Sequence, residues 1–449
     1  MKETQLPVVN AFCAGIDIGS RFHMVAIDQD GSKVKKFGVY SADHQAMISY
    51  LKLHQVQSVA MESTGNYWQT LFDALQRAGF EVLLVNGNQT KNVKGKKTDT
   101  LDCMWIQKLH SFGLLGGSFL PCCDIQSLRT YYNHRQYLVS QCSKYINKMQ
   151  KSLRLMNVRL DIAVNDIMGL SGRTIIDAIL AGETDAVKLA SLVNYRVKKT
   201  REEIALALEG NRREDLLFEL KECLILYDVY CDRLRNCDIE LEKQIRHTLS
   251  SSIESPGHKL SKKQTNKHTP KFDIEGLSSA YYGVNLMAIP NIGANTVLCL
   301  LTYIGNDIYK FPSSKHFCSW LRLCPNNKIT GGKVISSKTP KGKNRLAIAL
   351  RQAASSLGEK SKSPLYPFFK RVAYHKDRVS AITATARKLA TIIYNMITNK
   401  QEYQPYQQPP LSTKAKDKII RSIKNKLNRL ELTHEQRSFF FTDQAMPLP

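Results

Sequence analysis

Residues 11–40 carry short apolar clusters broken by "GS" and "DG", a pattern that predicts three consecutive strands with turns between them. The period then lengthens. A helix is expected at about 42–54, a buried strand over "SVAMES" (58–63), a helix over "NYWQTLFDALQRAG" that stops at Gly79, and a strand over "EVLLVN" (81–86). The order β-β-β-α-β-α-β predicts an α/β unit with a mixed sheet. Its opening strands are antiparallel and its later strands parallel, joined through helices.

From about 122 to 247, apolar residues recur every three or four positions, as in "LRTYYNHRQYLVSQCSKYINKMQKSLRLM". This predicts an all-α bundle or coiled-coil spacer. Residues 248–276 are polar, Lys-rich and broken by proline, as a linker or surface loop is. Apolar periodicity returns at 284 and stays mainly helical to about 398. Beyond it, "STKAKDKIIRSIKNKLNRL" reads as a basic amphipathic helix suited to nucleic acid, a membrane surface or the body of the protein. The shifts divide the chain at 1–121, 122–247, 248–283, 284–403 and 404–449.

Charge narrows the function. Lys and Arg number 64 against 39 Asp and Glu, a net charge of +25 in 449 residues, which points to a polyanionic partner, nucleic acid first, more than to a small substrate. The 11 cysteines contain no C-x-x-C pair, so a structural zinc site is not expected. No apolar run approaches the roughly 18 residues of a membrane span and no signal peptide is recognisable, so the expected location is the cytoplasm with reduced thiols.

Against this basic background four acids stand out. Asp17 lies mid-strand in "AGIDIGS", where an ionised carboxylate among apolar neighbours is costly unless something binds it. Glu62 ends another strand, and the strand order permits the two to meet at one edge of the sheet. In "KTDTLD", Asp99 and Asp102 are neighbours on one face if the segment is helical. Four converging carboxylates repel one another unless divalent cations neutralise them, and oxygen ligands suit Mg2+ or Mn2+. Two such ions can assist phosphodiester cleavage. Lys91, Lys94, Lys96 and Lys97, just upstream, can hold the phosphates. "GIDIGS" before a hairpin also fits the first phosphate loop of actin-like sugar kinases, but no second phosphate loop or adenosine loop follows.

In the second half, "LMAIPNIGANTVLCLLTYIG" has the shape of a helix-hairpin-helix, whose turn at Asn291 and Gly293 can present backbone N–H groups to a phosphate. Further on, Thr330, Ser336 and Ser337 lie among Lys333, Lys338, Lys341 and Arg345 around Gly331 and Gly332. A hydroxyl nucleophile needs flanking positive charge to stabilise a pentacovalent phosphate.

Taken together, "GIDIGS", "AMESTGNYW" and "KTDTLD" in the first half, with "IPNIGANTVLCLLTYIGNDIYKFPSSKHFCSWLRLCP", "GGK" and "ARKLATIIYNMI" in the second, resemble the insertion-sequence transposases of the IS one-ten and IS eleven-eleven family. The likeness runs from about residue 12 to 403. It implies an RNase-H-like, RuvC-like DEDD metal domain, a helical spacer and a mainly α C-terminal transposase domain. It further implies DNA as substrate, a non-coding guide RNA, and a dimer or tetramer with composite sites. By position it makes Asp17, Glu62, Asp99 and Asp102 the catalytic and metal-binding tetrad. The family's catalytic serine, which forms a covalent phosphoserine with DNA, stands immediately before the glycine that is Gly331 here. This chain has Thr330 there, with Ser336 and Ser337 as the alternatives. A water-using metal nuclease or junction resolvase and a non-catalytic nucleic-acid-binding relic are the competing readings.

Overall fold

The computed structural model describes residues 7–63, 65–90, 98–248, 268–342, 344–405 and 413–429. Two compact units divide at Leu120 and Pro121.

The first unit runs β1 (Cys13–Ile18), β2 (His23–Ala26), β3 (Lys35–Phe37), α1 (Ser41–Leu53), β4 (Ser58–Glu62), α2 (Trp68–Arg77), β5 (Glu81–Val85), α3 (Gly87–Thr90) and α4 (Asp99–Ser111). Its sheet has the order β3-β2-β1-β4-β5. Strands β1, β2 and β3 are antiparallel, and β4 and β5 join parallel to β1, so the mixed sheet expected from the periodicity is present. The "GS" turn is tight. The "DG" signal instead sits in a longer loop between β2 and β3, where Asp28 accepts hydrogen bonds from the Gly31 N–H (3.1 Å) and the Ser32 hydroxyl (2.9 Å).

Alternation along the strands sends Ala14, Ile16, Ile18, Val59 and Met61 to one face, where they pack with Met47, Leu51, Leu71 and Leu75 of α1 and α2. Residues of the opposite parity, Gly15 and Asp17 on β1 and Ala60 and Glu62 on β4, face the other way, toward α4. A Cβ on Gly15 would lie 2.2 Å from the backbone N of Gln107 and 2.4 Å from the carbonyl O of Cys103. Only glycine lets the helix backbone rest on the strand at that point.

The second unit opens with α5 (Cys123–Leu155), then the short helices α6 (Leu160–Ala163), α7 (Leu170–Leu180), α8 (Ala186–Ser191) and α9 (Arg201–Leu208), and the long α10 (Glu214–Thr248). Helices α5 and α10 pack along each other, and α6–α9 close a separate core at one end built on Met149, Leu153, Ile175, Ile176, Leu208 and Leu220. Between the two helices, Arg135, 1 % exposed, donates to Asp238 and, at 2.7 Å, to the carbonyl of His268.

The chain continues through α11 (Ile274–Tyr282), α12 (Ala294–Tyr303), α13 (Ser314–Trp320), the hairpin strands β6 (Lys328–Thr330) and β7 (Lys333–Ser336), α14 (Arg345–Leu357), α15 (Tyr366–His375), α16 (Arg378–Asn399) and α17 (Thr413–Arg429). This part is mainly α, as expected, apart from one two-stranded hairpin. The segment before the "PNIG" turn is a three-residue 3-10 turn (Leu286–Ala288), because Pro290 holds Ile289 extended at ψ 129. Among the described residues no helix is long and apolar enough to cross a membrane.

Candidate active site

The acidic face is built by strand register. Gly15 pairs with Ala60 and Ile16 with Met61 in the parallel β1–β4 ladder, so Asp17 and Glu62 follow at the same level on adjacent strands. Their side chains leave the sheet on the same side. Both are half-buried at the C-terminal ends of their strands.

Helix α4 supplies the other two. Its last residues lie beside the chain leading into β1, with Val9 and Asn10 donating to the Ser111 carbonyl at 2.8 and 2.9 Å. Cys103 and Gln107 rest on Gly15. The helix therefore runs antiparallel to β1 and brings its first turn, with Asp99 and Asp102, to the end of the strand that carries Asp17. Thr98 starts the helix there, its hydroxyl accepting from the Leu101 N–H at 3.3 Å. Cys103 reports the local field. Its thiol is pushed up to about 12, first by burial and then by the Asp17 carboxylate, with Asp102 adding a smaller push.

Glu62 is held from behind. The Thr90 hydroxyl donates to its Oε2 at 2.6 Å, and the Trp105 indole N–H of α4 donates to the Thr90 carbonyl at 3.2 Å. A Cβ on Gly87 would lie 2.4 Å from Glu62 Oε1. Thr90, Trp105 and Gly87 carry no signal in the sequence, since each is an ordinary residue for its element.

The structure thus sets Asp17 beside Glu62 on one face of the sheet and carries the first turn of α4, which holds Asp99 and Asp102, to the same end. Among the described residues, no three His, Cys, Asp or Glu side chains converge closely enough to hold one metal ion. The donor set itself, four carboxylates, has the hard oxygen chemistry of a divalent-cation site. Lys91, Lys94, Lys96 and Lys97 lie outside the described residues.

The hydroxyl-bearing segment is the β6–β7 hairpin, which the helical reading of this region missed although "KITGGKVIS" holds the Gly-Gly turn signal. Gly331 and Gly332 have φ of 54° and 74°, the positive values a tight hairpin turn requires. Thr330 pairs with Lys333 and Lys328 with Ser336, across an irregularity between Lys328 and Ile329. Cross-strand partners share a face, so Thr330, Lys333, Lys328 and Ser336 stand together, while Ile329 and Val334 occupy the other face. Thr330, Lys328 and Lys333 are exposed and Ser336 is half-buried. Ser337, Lys338 and Lys341 follow on the loop to α14, which Asn344 caps and Arg345 begins. Asn291, at φ 65°, donates to the Ser356 hydroxyl at 3.2 Å, and Gly293 is the N-cap of α12 with no side-chain cap of its own.

Residues 14–158 match the DEDD transposase model of the IS110 group, and residues 284–366 match the transposase model of the IS116/IS110/IS902 family. All four acids fall in the first match, and Thr330, Ser336 and Ser337 in the second. The chain belongs to this transposase family. No curated protein matches it. As a member of the family the protein is a DNA transposase, with DNA as its partner, and its DEDD domain depends on divalent metal.

Proposed function

We propose that this transposase cleaves and rejoins the strands of an insertion sequence with an acidic metal site at Asp17, Glu62, Asp99 and Asp102 and a hydroxyl nucleophile at Thr330. The observation that carries the proposal is the β1–β4 register, which sets Asp17 beside Glu62 on the face crossed by the acidic first turn of α4. Magnesium is the expected ion. When bound by these carboxylates it supplies charge neutralisation and Lewis acidity toward a phosphodiester.

The chain's own residues do the rest. Thr330 Oγ forms the bond to phosphorus, its proton passes to solvent or a base, and the deoxyribose oxygen leaves and takes a proton. Lys333, paired across the hairpin, and Lys328 neutralise the charge that builds on the phosphoryl oxygens. The threonine methyl restricts χ1 and crowds the approach, so serine at this position is expected to attack faster. Ser336, on the same hairpin face, and Ser337 are the alternative nucleophiles. Family resemblance supports a guide RNA and a dimer or tetramer, and it supports assigning 122–247 as spacer and 284–403 as the domain that carries the nucleophile.

The test has two parts. Asp102→Asn should abolish strand cleavage, by at least about a hundredfold on the scale of lost catalytic electrostatics, while DNA binding is retained. A protein–DNA adduct trapped on labelled DNA should map to Thr330 and disappear in Thr330→Ala. Unchanged cleavage by Asp102→Asn defeats the acidic site, and cleavage without any adduct makes water the nucleophile.

A further inference from the structure

Helices α5 and α10 run antiparallel where they meet, and a pair of thiols faces across the seam. Arg135 meets Asp238, Leu138 packs with Leu234, and Tyr145 stacks on Tyr230 with ring centroids 5.5 Å apart. Between the second and third of these contacts the Cys142 and Cys231 sulfurs lie 3.8 Å from each other. Packing on both sides fixes the register, so the two sulfurs are held as neighbours. The gap to the roughly 2 Å of a disulfide is within reach of side-chain rotation and a slight approach of the helices.

The two thiols are not alike. Cys142 is fully buried and belongs to the core at the end of the spacer. Cys231 is half-buried and lines a cavity of about 220 Å³, together with Tyr227, Leu234, Arg235 and Lys271. That volume is ample for a molecule little larger than water. Burial first, and then a hydrogen bond with the Cys231 sulfur, raises the pKa of Tyr227. Its hydroxyl therefore keeps a proton to donate to that sulfur as the thiol ionises. A thiol that borders a cavity, with a donor beside it and a second thiol behind it, is arranged for oxidation in two steps.

We infer that Cys142 and Cys231 form an oxidative modification site, at which hydrogen peroxide converts the two thiols to a disulfide that staples α5 to α10. The Cys231 thiolate attacks one peroxide oxygen, the O–O bond breaks, and the departing hydroxide takes up a proton, leaving Cys231 as a sulfenic acid. The Cys142 sulfur then attacks the Cys231 sulfur, the S–O bond breaks, and the Cys142 proton leaves with the hydroxyl as a second water. Two thiols and one peroxide give one disulfide and two waters. The staple closes a loop of about 90 residues that carries α6–α9, which stabilises the helix pair. A small thiol reductant reverses it by exchange. The inference stands apart from the acidic site, Thr330 and the binding of nucleic acid.

The experiment treats the full-length protein with hydrogen peroxide, alkylates the remaining thiols and maps peptides without reduction from the monomer band of a non-reducing gel. A peptide linking Cys142 to Cys231 is expected, and it should vanish after dithiothreitol, in Cys142→Ala and in Cys231→Ala. In Cys142→Ala, which lacks the second thiol, Cys231 should accumulate as a sulfenic acid captured by a cyclic diketone probe. The oxidised wild-type protein should melt at least about 5 °C above the reduced protein, a gain that neither variant shows. No linked peptide at a peroxide dose that has already oxidised the exposed Cys122 and Cys123 overturns the inference, as does a link found only between two molecules.

Discussion

At the scale of single residues, Gly15 decides whether α4 can reach the acidic face. The atoms that a Cβ would meet are backbone atoms of Gln107 and Cys103, which cannot rotate aside as a side-chain end can. Gly15→Ala should therefore lower the stability of the first unit by about 3 kcal/mol, the upper part of the range for overpacking, and remove cleavage by displacing Asp99 and Asp102. Urea unfolding measures the first effect, and a loss under about 0.5 kcal/mol would show that the helix shifts without cost. On the opposite face of the sheet, His23 is 1 % exposed and its ring lies 5.7 Å from that of His44. His23 Nδ1 and His44 Nε2 are both buried without a hydrogen-bond partner. Burial, then the neighbouring His44, lowers the His23 pKa to about 4, and only Asp43 opposes this. The folded state thus binds a proton less readily than the unfolded chain, whose histidines titrate near 6.5. The stability from the neutral ring is complete above about 6.5 and is lost as the pH falls toward 4. Unfolding free energy should drop by about 2 kcal/mol between roughly pH 7 and pH 5, and His23→Phe should flatten that dependence. A wild-type profile flat over this range would mean the ring stays hydrated.

At the scale of elements, the β6–β7 hairpin carries the proposed nucleophile on almost no packing. Its strands are exposed, and nothing lies within 4 Å of a Cβ placed on Gly331 or Gly332. What fixes Thr330 is the turn, through two positive φ angles. Gly331→Val should cost about 1–2 kcal/mol locally by forcing a β-branched residue into that region. It should lower cleavage about tenfold with little change in global melting, and Gly331→Asn should preserve most activity because asparagine tolerates the conformation. Equal activities for the two variants would show that the turn does not position the hydroxyl. The hairpin also marks where the sequence was legible and where it was not. The element order, the mixed sheet and the Gly-Gly signal are all written in local pattern and spacing. The strands β6 and β7 were hidden by the helical periodicity on both sides, since an exposed ribbon of three and four residues offers too few alternations to compete. The Glu62–Thr90–Trp105 connection was invisible because it joins three elements through ordinary residues, and α6–α9 were hidden because their core closes across long sequence separations.

At the scale of the whole molecule, the four acids are an island of negative charge in a chain of net charge +25, so binding and chemistry should respond to different ions. If the cations hold DNA by charge alone, EDTA should leave affinity nearly unchanged while cleavage stops. On the proposed reading, the four carboxylates of the first unit repel one another until a cation joins them. Added Mg2+ should raise the melting temperature of that unit by several degrees, since a ligand at a hundredfold its Kd contributes about 2.7 kcal/mol. Asp17→Asn reverses the signs: without metal it should match or exceed the wild-type melting temperature, because one repulsive charge is gone, and with metal it should gain little. A stabilising Mg2+ effect that survives in Asp17→Asn and in Asp102→Asn would place the ion elsewhere. The tetrad would then be four ordinary acids whose shared face has no catalytic meaning.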